Sequence, residues 1–310
     1  MNAVDHLNKV EVTGDVPQED LNSTPPALGP SGQNRHGLTN PYDQLYIYYI
    51  EGVAEGAEQH FTQNFLGCWI EESSSFLFFS SETGPEIESF LAERGQLRLM
   101  DKYQMTYRDW QCADGAEDFQ VGRLHFFPYW ENPAMSEEEL VIPMDPGLVF
   151  GNGRHPTTRR CLEVLDRIYS QEKPAHVLDL GTGTGVLALA AARLGASAVT
   201  AVDLNQLAVD TALRNVQLND LTATIAVHQG RAEHYLHLDA DLVLANIHFA
   251  VLQDLIVQES FLNKKWYVLS GILRSQAPVI LDLLYQGRVS RAEVIEDDLT
   301  WFTIWGQGRR

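Results

Sequence analysis

The sequence predicts an α/β protein in two parts. A parallel sheet covered by helices on both faces fills the C-terminal half, and a small split sheet with helices on one face stands before it. Three observations carry this. From Ala175 onward, short apolar runs alternate with stretches of helical period, which is how successive βαβ units read. Between Tyr42 and Trp130 the runs follow a β-α-β-β-α-β rhythm. At 310 residues the chain is sized for two domains rather than one.

The elements follow in order. Residues 1–41 contain no aromatic residue and carry Pro17, Pro25, Pro26, Pro30 and Pro41 with four glycines. Such a stretch buries too little apolar surface to offset its ordering entropy, so it is expected to be disordered; a short docking strand around Val10 to Val12 is the alternative. LYIYYIEG, from Leu45 to Gly52, alternates and is rich in aromatic and β-branched residues, as strands are. EGAEQHFTQNF reads as a helix, and GCWIEES and FLFFSSE as two further strands. PEIESFLAERG reads as a helix with Pro85 at its start and Gly95 at its end. VGRLHFFPYW, from Val121 to Trp130, closes this module, and NPAMSEEEL reads as an exposed linker with a short acidic helix.

Beyond Ala175 the strands expected are AHVLDL, SAVTAVD, ATIAVHQ, ADLVLANI and KWYVLSGI. The helices between them are GVLALAAARLG, NQLAVDTALRNVQLN, HFAVLQDLIVQESF and LRSQAPVILDLLYQG. VSRAEVIEDD and TWFTIWGQ read as a terminal antiparallel hairpin.

Hydrophobic residues make up 45% and charged residues 21% of the chain. That is ordinary globular composition and excludes wholesale disorder, a collagen-like chain or a disulfide framework. Lys and Arg number 22 against 42 Asp and Glu, a net charge of −20. So acidic a chain is poorly suited to gripping nucleic acid or an anionic membrane through a general basic field, and it favours basic partners. The charge is uneven: residues 1–40 carry −3, residues 41–140 carry −14 and residues 141–310 carry −3. The acidity of the first folded module reads either as a solubility surface or as a docking face that steers a basic protein.

Cys68, Cys112 and Cys161 are far apart and form no C-x-x-C pair, which fits a reducing cytosol and argues against a zinc or redox site. The first residues lack the basic start and apolar core of a signal peptide. The most apolar stretch, Val186 to Val202, is interrupted by Arg193 and falls short of a membrane span. A cytoplasmic protein is the expectation.

The chemistry is expected at the turn after the first strand of the large sheet, Asp179-Leu-Gly181-Thr-Gly183-Thr-Gly185, which runs into a helix. Glycines let the backbone turn sharply and approach a ligand, and helix N-terminal N–H groups offer donors. A dinucleotide loop of G-x-G-x-x-G form would place its third glycine at Val186, and a phosphate-cradling loop would need Lys followed by Ser or Thr. Neither fits. The D-x-G-x-G-x-G form is the one found in S-adenosylmethionine-dependent methyltransferases. Asp203 ends the second strand, where a carboxylate accepts ribose hydroxyls; a helix N-terminal charge is the bland reading. Asn246 ends the fourth strand, where amino-methyltransferases keep an Asn beside the target nitrogen; a strand-end Asn satisfying local backbone is the alternative.

Asp145-Pro-Gly-Leu-Val-Phe-Gly151-Asn-Gly153-Arg-His155-Pro-Thr157-Thr158 precedes this domain. With Ala245-Asn246-Ile247, Ser270-Gly-Ile-Leu273 and the G-R-L-x-x-x-P-x-W run from Gly122 to Trp130, it closely resembles the PrmA family, the methyltransferases of the ribosomal large-subunit protein L-eleven. The matches are ordered and correctly spaced over residues 121–310; over residues 42–120 only the element order agrees.

The resemblance implies a Rossmann-like seven-stranded class I methyltransferase domain over 148–310. A linker over 132–147 and a small α+β, ferredoxin-like substrate-recognition domain over 42–131 would precede it, after the extension 1–41. It implies S-adenosylmethionine as cofactor. Thr158, Gly181, Asp203 and Asn246 would contact the cofactor, and Gly183 and Gly185 would shape its loop. Asn246 would also serve catalysis, as an acceptor that orients the amine and not as a base. His155 and Thr157 would belong to a flap over the cofactor, with a loop histidine free of chemistry as the alternative for His155. The implied activity is N-methylation of lysine or α-amino groups of a ribosomal protein, by a monomer, without metal, nucleic acid or membrane. Another protein lysine, a small amine, or binding without turnover are the alternatives. Two departures stand out: the family's G-T-G-T becomes Gly151-Asn-Gly-Arg154, and its A-N-I-L becomes Ala-Asn-Ile-His248, which puts an imidazole near the substrate mouth or in solvent.

Overall fold

The computed structural model describes residues 40–71, 73–110, 118–297 and 299–309. The stretch expected to be disordered therefore lies outside the described residues up to position 39, as does Cys112. Of the other two cysteines, Cys68 and Cys161 are buried free thiols, and burial pushes each up to about 12.

Strand β1 (Gln44–Glu51), the single turn α1 (Ala57–His60), β2 (Phe65–Glu71), β3 (Ser74–Phe79), α2 (Gly84–Ala92) and β4 (Arg98–Thr106) form the first module. Its sheet is ordered β2-β3-β1-β4, with every neighbouring pair antiparallel. One face carries Tyr48, Ile50 and Leu77 and packs under Ala57, Ile87 and Phe90 of the two helices. Alternation puts Leu45, Ile47 and Phe78 on the other face.

The single turn α3 (Tyr107–Trp110) follows, and then a separate three-stranded sheet of β5 (Phe119–Val121), β6 (Leu124–Pro128) and β7 (Leu140–Met144). The large unit then runs α4 (Pro156–Gln171), β8 (His176–Leu180), α5 (Val186–Leu194), β9 (Ala198–Asp203), α6 (Gln206–Leu218), β10 (Ile225–Gln229), α7 (Ala232–Tyr235) and β11 (Leu242–Asn246). It finishes with α8 (Phe249–Ile256), α9 (Glu259–Leu262), β12 (Trp266–Leu273), α10 (Ala277–Gln286), β13 (Arg291–Asp297) and β14 (Trp301–Gln307).

Its seven strands are ordered β10-β9-β8-β11-β12-β14-β13, the first five parallel and β14 antiparallel to both neighbours. One face is covered by α4 and α5 and the other by α8 and α10, whose Leu252, Leu255, Ile280 and Leu284 are fully buried. The order reverses beside β8, which makes the carboxyl ends of β8 and β11 the place where open α/β sheets hold ligands in a crevice.

The sequence expectations differ from this in several places. Helix α1 is only one turn, because Gly56 enters it left-handed and Phe61 leaves it extended. Residues 248–261 form two helices, broken at Val257 and Gln258. The stretch Val121–Trp130, read as closing the first module, instead pairs with β7, and its Val121, Leu124 and Phe126 join the core of α4 and α5. Residues 131–139 form no helix, and β7 follows them. Strand β4 and the helices α3, α4 and α7 have no counterpart in the sequence reading, and α4 is the longest of them. Pro156 stands in its first turn, the His155 side chain accepts from Thr157 N, and Cys161, Leu162, Leu165, Ile168 and Tyr169 give it a buried stripe.

The first module is tied to the large unit through its second sheet face. Leu45, Ile47 and Phe78 pack against Leu148, Val149, Leu207 and Ala208. Around them, Tyr107 donates to Gly147 O at 2.6 Å, Trp110 Nε1 to Leu148 O at 3.2 Å and Asn205 Nδ2 to Ile70 O at 3.2 Å. Asp145 is the polar centre. It accepts from the Tyr42 hydroxyl at 2.7 Å, Gly147 N at 3.0 Å and Arg214 Nε at 3.1 Å. Burial, reinforced by the Asp145 carboxylate, raises the Tyr42 hydroxyl well above its usual range, so it stays a donor.

Substituting Tyr42→Phe strips one charge-assisted donor from a buried carboxylate. Equilibrium urea denaturation is expected to show a loss of about 1.5–3 kcal/mol, the range for hydrogen bonds to charged groups. A loss near zero would mean that Arg214 and the backbone satisfy Asp145 unaided.

Candidate functional site

The turn after β8 is built by left-handed backbone. Gly181 has φ 76° and Gly183 φ 55°, in the region where a side chain is strained. Space forbids one as well: a Cβ on Gly183 would strike the carbonyl oxygen of Phe150, and one on Gly181 the Ile247 side chain. The turn is held from both sides. Gly181 N and Thr182 N both donate to Val202 O of β9, at 2.8 and 2.9 Å. Thr184 N donates to Phe150 O at 3.3 Å, and its hydroxyl to Gly151 O at 2.5 Å. The 145–153 segment and the glycine turn are thus bonded to each other.

Two carboxyls stand at this turn. Asp203, at the end of β9, accepts from Gly183 N at 2.9 Å and Asn205 N at 3.0 Å. Burial raises it, against those backbone donors. Asp179 is 1% exposed. Its Oδ2 accepts from the Thr182 hydroxyl at 2.6 Å and Ala188 N at 3.2 Å, while Oδ1 has no partner among the described residues. Burial pushes this carboxyl up to about 7, with the hydrogen bonds opposing. A buried acceptor left over beside a glycine turn suits a ligand that brings a donor.

At the end of β11, Asn246 Nδ2 donates to the hydroxyls of Thr157 at 3.3 Å and Thr158 at 3.2 Å. Both threonines are 1% exposed, in the first turn of α4. His155 Nδ1 lies 2.7 Å from the Thr157 hydroxyl, and its ring stands edge-on to Phe150 and Trp301, with centroids 5.2 and 5.1 Å away. Burial lowers the imidazole from its usual range.

The residues singled out from the sequence therefore gather at one crevice. Thr158 touches Asn246, Ile247 lies over Gly181, and Gly183 bonds Asp203. His155 and Thr157 stand at the head of α4 on the same side. His248 is exposed and caps nothing with its side chain. Sequence reasoning missed Asn215 of α6, which is fully buried. It accepts from Asp145 N at 2.6 Å and donates to Asp145 O at 2.9 Å and Thr184 O at 2.8 Å, joining the segment to the turn. A signal existed: Asn215 and the C-cap Asn219 sit four apart on a helix face otherwise made of Leu, Ala, Val and Thr211, and a buried polar group must be paired. Among the described residues, no three His, Cys, Asp or Glu side chains cluster as a metal site.

With this geometry in hand, comparison with known proteins is informative. The sequence pattern of the family described as ribosomal protein L11 methyltransferase (PrmA) matches residues 88–309. A protein of Thermosynechococcus vestitus named ribosomal protein L11 methyltransferase is 39% identical over 254 residues, 78% of this chain and 84% of its own length. One of the same name from Ruminiclostridium cellulolyticum is 34% identical over 181 residues, 56% of each chain, so the chain spans little more than half the length of that relative. Among solved structures, a ribosomal protein L11 methylase from Lactobacillus delbrueckii subsp. bulgaricus is similar with a TM-score of 0.53 and 30% identity, over 62% of this chain and 100% of that one.

Asp179 has a stability signature. Its folded value, about 7, lies above the ordinary 3.8, so between those two values the folded state holds a proton that the unfolded state has released. Its contribution to stability therefore falls as pH rises from about 4 to about 7, and stays low above that. Asp179→Asn is expected to flatten this slope, raising stability relative to the unsubstituted chain more at pH 8 than at pH 5. Thermal melts at the two pH values read it; an equal difference at both would refute the assignment.

Proposed function

The chain belongs to the ribosomal protein L11 methyltransferase family, and from that premise we propose that it transfers methyl groups from S-adenosylmethionine to lysine or α-amino nitrogens of a ribosomal large-subunit protein of the L11 type. The observation that carries the reading is the convergence of Asp179, the glycine turn, Asp203 and Asn246 on one crevice beside β8.

The residues present suit the cofactor. Asp203 offers a carboxylate for ribose hydroxyls, with spare acceptor sites beyond its backbone donors. Gly181 and Gly183 leave the backbone bare for close approach. Asp179 keeps an unpaired acceptor that would serve the ligand's amino acid end, and Thr158 and Asn246 would hold the methyl donor. When bound, S-adenosylmethionine supplies a methyl group on a positively charged sulfur, open to attack by a neutral amine.

The chain's own part is alignment, which contributes several kcal/mol when reacting atoms are held in line. A lysine amine, with a reference pKa near 10.4, must lose its proton first, which costs about 4–5 kcal/mol at neutral pH. Desolvation in the crevice lowers that cost, because burial disfavours the ammonium. Asn246 orients the amine by accepting a hydrogen bond from it and cannot take the proton away.

For recognition, the docking module is the sheet of β1 to β4 with α1 and α2, a ferredoxin-like arrangement supported by the β2-β3-β1-β4 order and the two helices on one face. Glu51, Glu55, Glu82, Glu86 and Glu88 are exposed there. An acidic surface suits a basic ribosomal protein through steering more than through raw affinity. Such a substrate places the enzyme in the cytoplasm.

The direct test incubates the purified chain with methyl-labelled S-adenosylmethionine and a ribosomal protein fraction. Label is expected in the L11 band; label confined to a non-ribosomal protein would remove the substrate while leaving the chemistry. Separately, Asp203→Ala is expected to weaken S-adenosylmethionine binding about tenfold or more by calorimetry, given about 1.5–3 kcal/mol for hydrogen bonds to a charged group. Unchanged affinity would take Asp203 out of the cofactor site.

A further inference from the structure

An amide side chain is two-faced, with two donors on nitrogen and an acceptor on oxygen. If Asn246 is to accept a hydrogen bond from the amine, something must hold its nitrogen the other way. The structure provides this. Thr157 N donates to His155 Nδ1 at 3.4 Å, so that nitrogen is the unprotonated, accepting one and the proton sits on Nε2. Burial lowers the imidazole from its usual range and keeps it neutral near pH 7.

With Nδ1 accepting, the Thr157 hydroxyl 2.7 Å away has one proton and must give it to the ring. Its lone pairs are then left for Asn246, which reaches it at 3.3 Å and can satisfy them only with Nδ2. A second hydroxyl, on Thr158 at 3.2 Å, takes the same nitrogen. The Asn246 oxygen is left on the opposite side, toward Gly271, which has φ 79° and no side chain; a Cβ there would stand 3.3 Å from that oxygen. The ring that starts the chain itself packs edge-on against Phe150 and Trp301.

We propose that His155, Thr157 and Asn246 form a directional hydrogen-bond chain. The imidazole fixes the Thr157 hydroxyl, the hydroxyl fixes the Asn246 amide, and the amide oxygen is thereby presented to the acceptor amine. His155 and Thr157 are positioning residues and Asn246 is the group that touches the amine; this assignment rests on the methyltransferase reading above. The chain's polarity originates in a backbone N–H, which cannot reverse, so it is imposed by the fold and not by the substrate.

The test compares Thr157→Val, which keeps the shape and removes the hydroxyl, with Thr157→Ser, which keeps the hydroxyl. Methyl transfer to purified ribosomal protein L11 is expected to fall ten- to hundredfold in kcat for the valine variant, in line with about a hundredfold for small misplacements. KM for S-adenosylmethionine should stay within about twofold of the unsubstituted value, and the serine variant should recover most of the rate. In parallel, nitrogen NMR of histidine-labelled protein reads the ring directly. His155 should carry its proton on Nε2, and in Thr157→Val the Nδ1 resonance should move downfield, toward that of a nitrogen accepting no hydroxyl. The proposal is overturned by a proton on Nδ1 in the unsubstituted protein, by an Nδ1 resonance unmoved in Thr157→Val, by a kcat held within twofold, or by a serine variant as impaired as the valine one. Should the unsubstituted protein transfer no methyl group to any basic protein, the functional reading fails by itself, and the NMR comparison still decides whether the chain exists.

Discussion

The carboxamide of Asn215 is the tie on which the crevice depends. It lies fully buried on α6 and makes three hydrogen bonds, two with the backbone of Asp145 and one to the carbonyl of Thr184. One side chain thereby joins the start of the 145–153 segment to the glycine turn. A buried amide with its bonds made is rigid, and one left unmade costs about 1–3 kcal/mol. The position therefore tolerates little variation in either partner. Asp145 extends the tie outward, through Tyr42 to the first module and through Arg214 back to α6.

Two consequences reach the site. The glycine turn is bonded on one side to β9 and on the other to Phe150 and Gly151, so the carboxyls beside it, Asp179 and Asp203, stand at fixed places. The first module is anchored to the same segment, through the bonds to Gly147 and Leu148 and the apolar contact with Leu207. Under the proposed function, a protein docked on the acidic module would be referenced to the glycine turn through a few residues of 145–149. One buried polar hub thus lies between the first module and the glycine turn.

Much of the fold was legible because its signals are local. Each strand of the large sheet is a short apolar run bounded by turn residues, and β8, β9, β10, β11 and β12 form where such runs occur. The glycine turn was legible for a related reason: three glycines at alternate positions mark backbone that other residues do not adopt, and Gly181 and Gly183 are indeed left-handed. The long helix α4 was less legible although its cap, its proline and its apolar stripe are all present, because the His-Pro-Thr-Thr run at its head has the composition of a loop. Helix α1 was overestimated, since nothing in EGAEQHFTQNF discloses that Phe61 is drawn out of the helix to pack with Phe79 and Phe90.

What the amino-acid sequence determined by itself is the alternation of elements, the backbone conformation at the glycines, the placement of Asp203 and Asn246 at strand ends, and the family to which these belong. Tertiary structure alone decided which way Asn246 faces, that Asp179 keeps a buried acceptor unpaired, that β5–β7 join the core of α4 and α5, and that Asn215 and Asp145 bind the two halves together. The division has a physical cause. Periodicity and glycine conformation act within a few residues of the chain, whereas the direction of a hydrogen bond and the burial of a carboxyl depend on partners such as Thr157 for Asn246 or Asn215 for Asp145, many tens of residues away, that meet only once the sheet has closed around them.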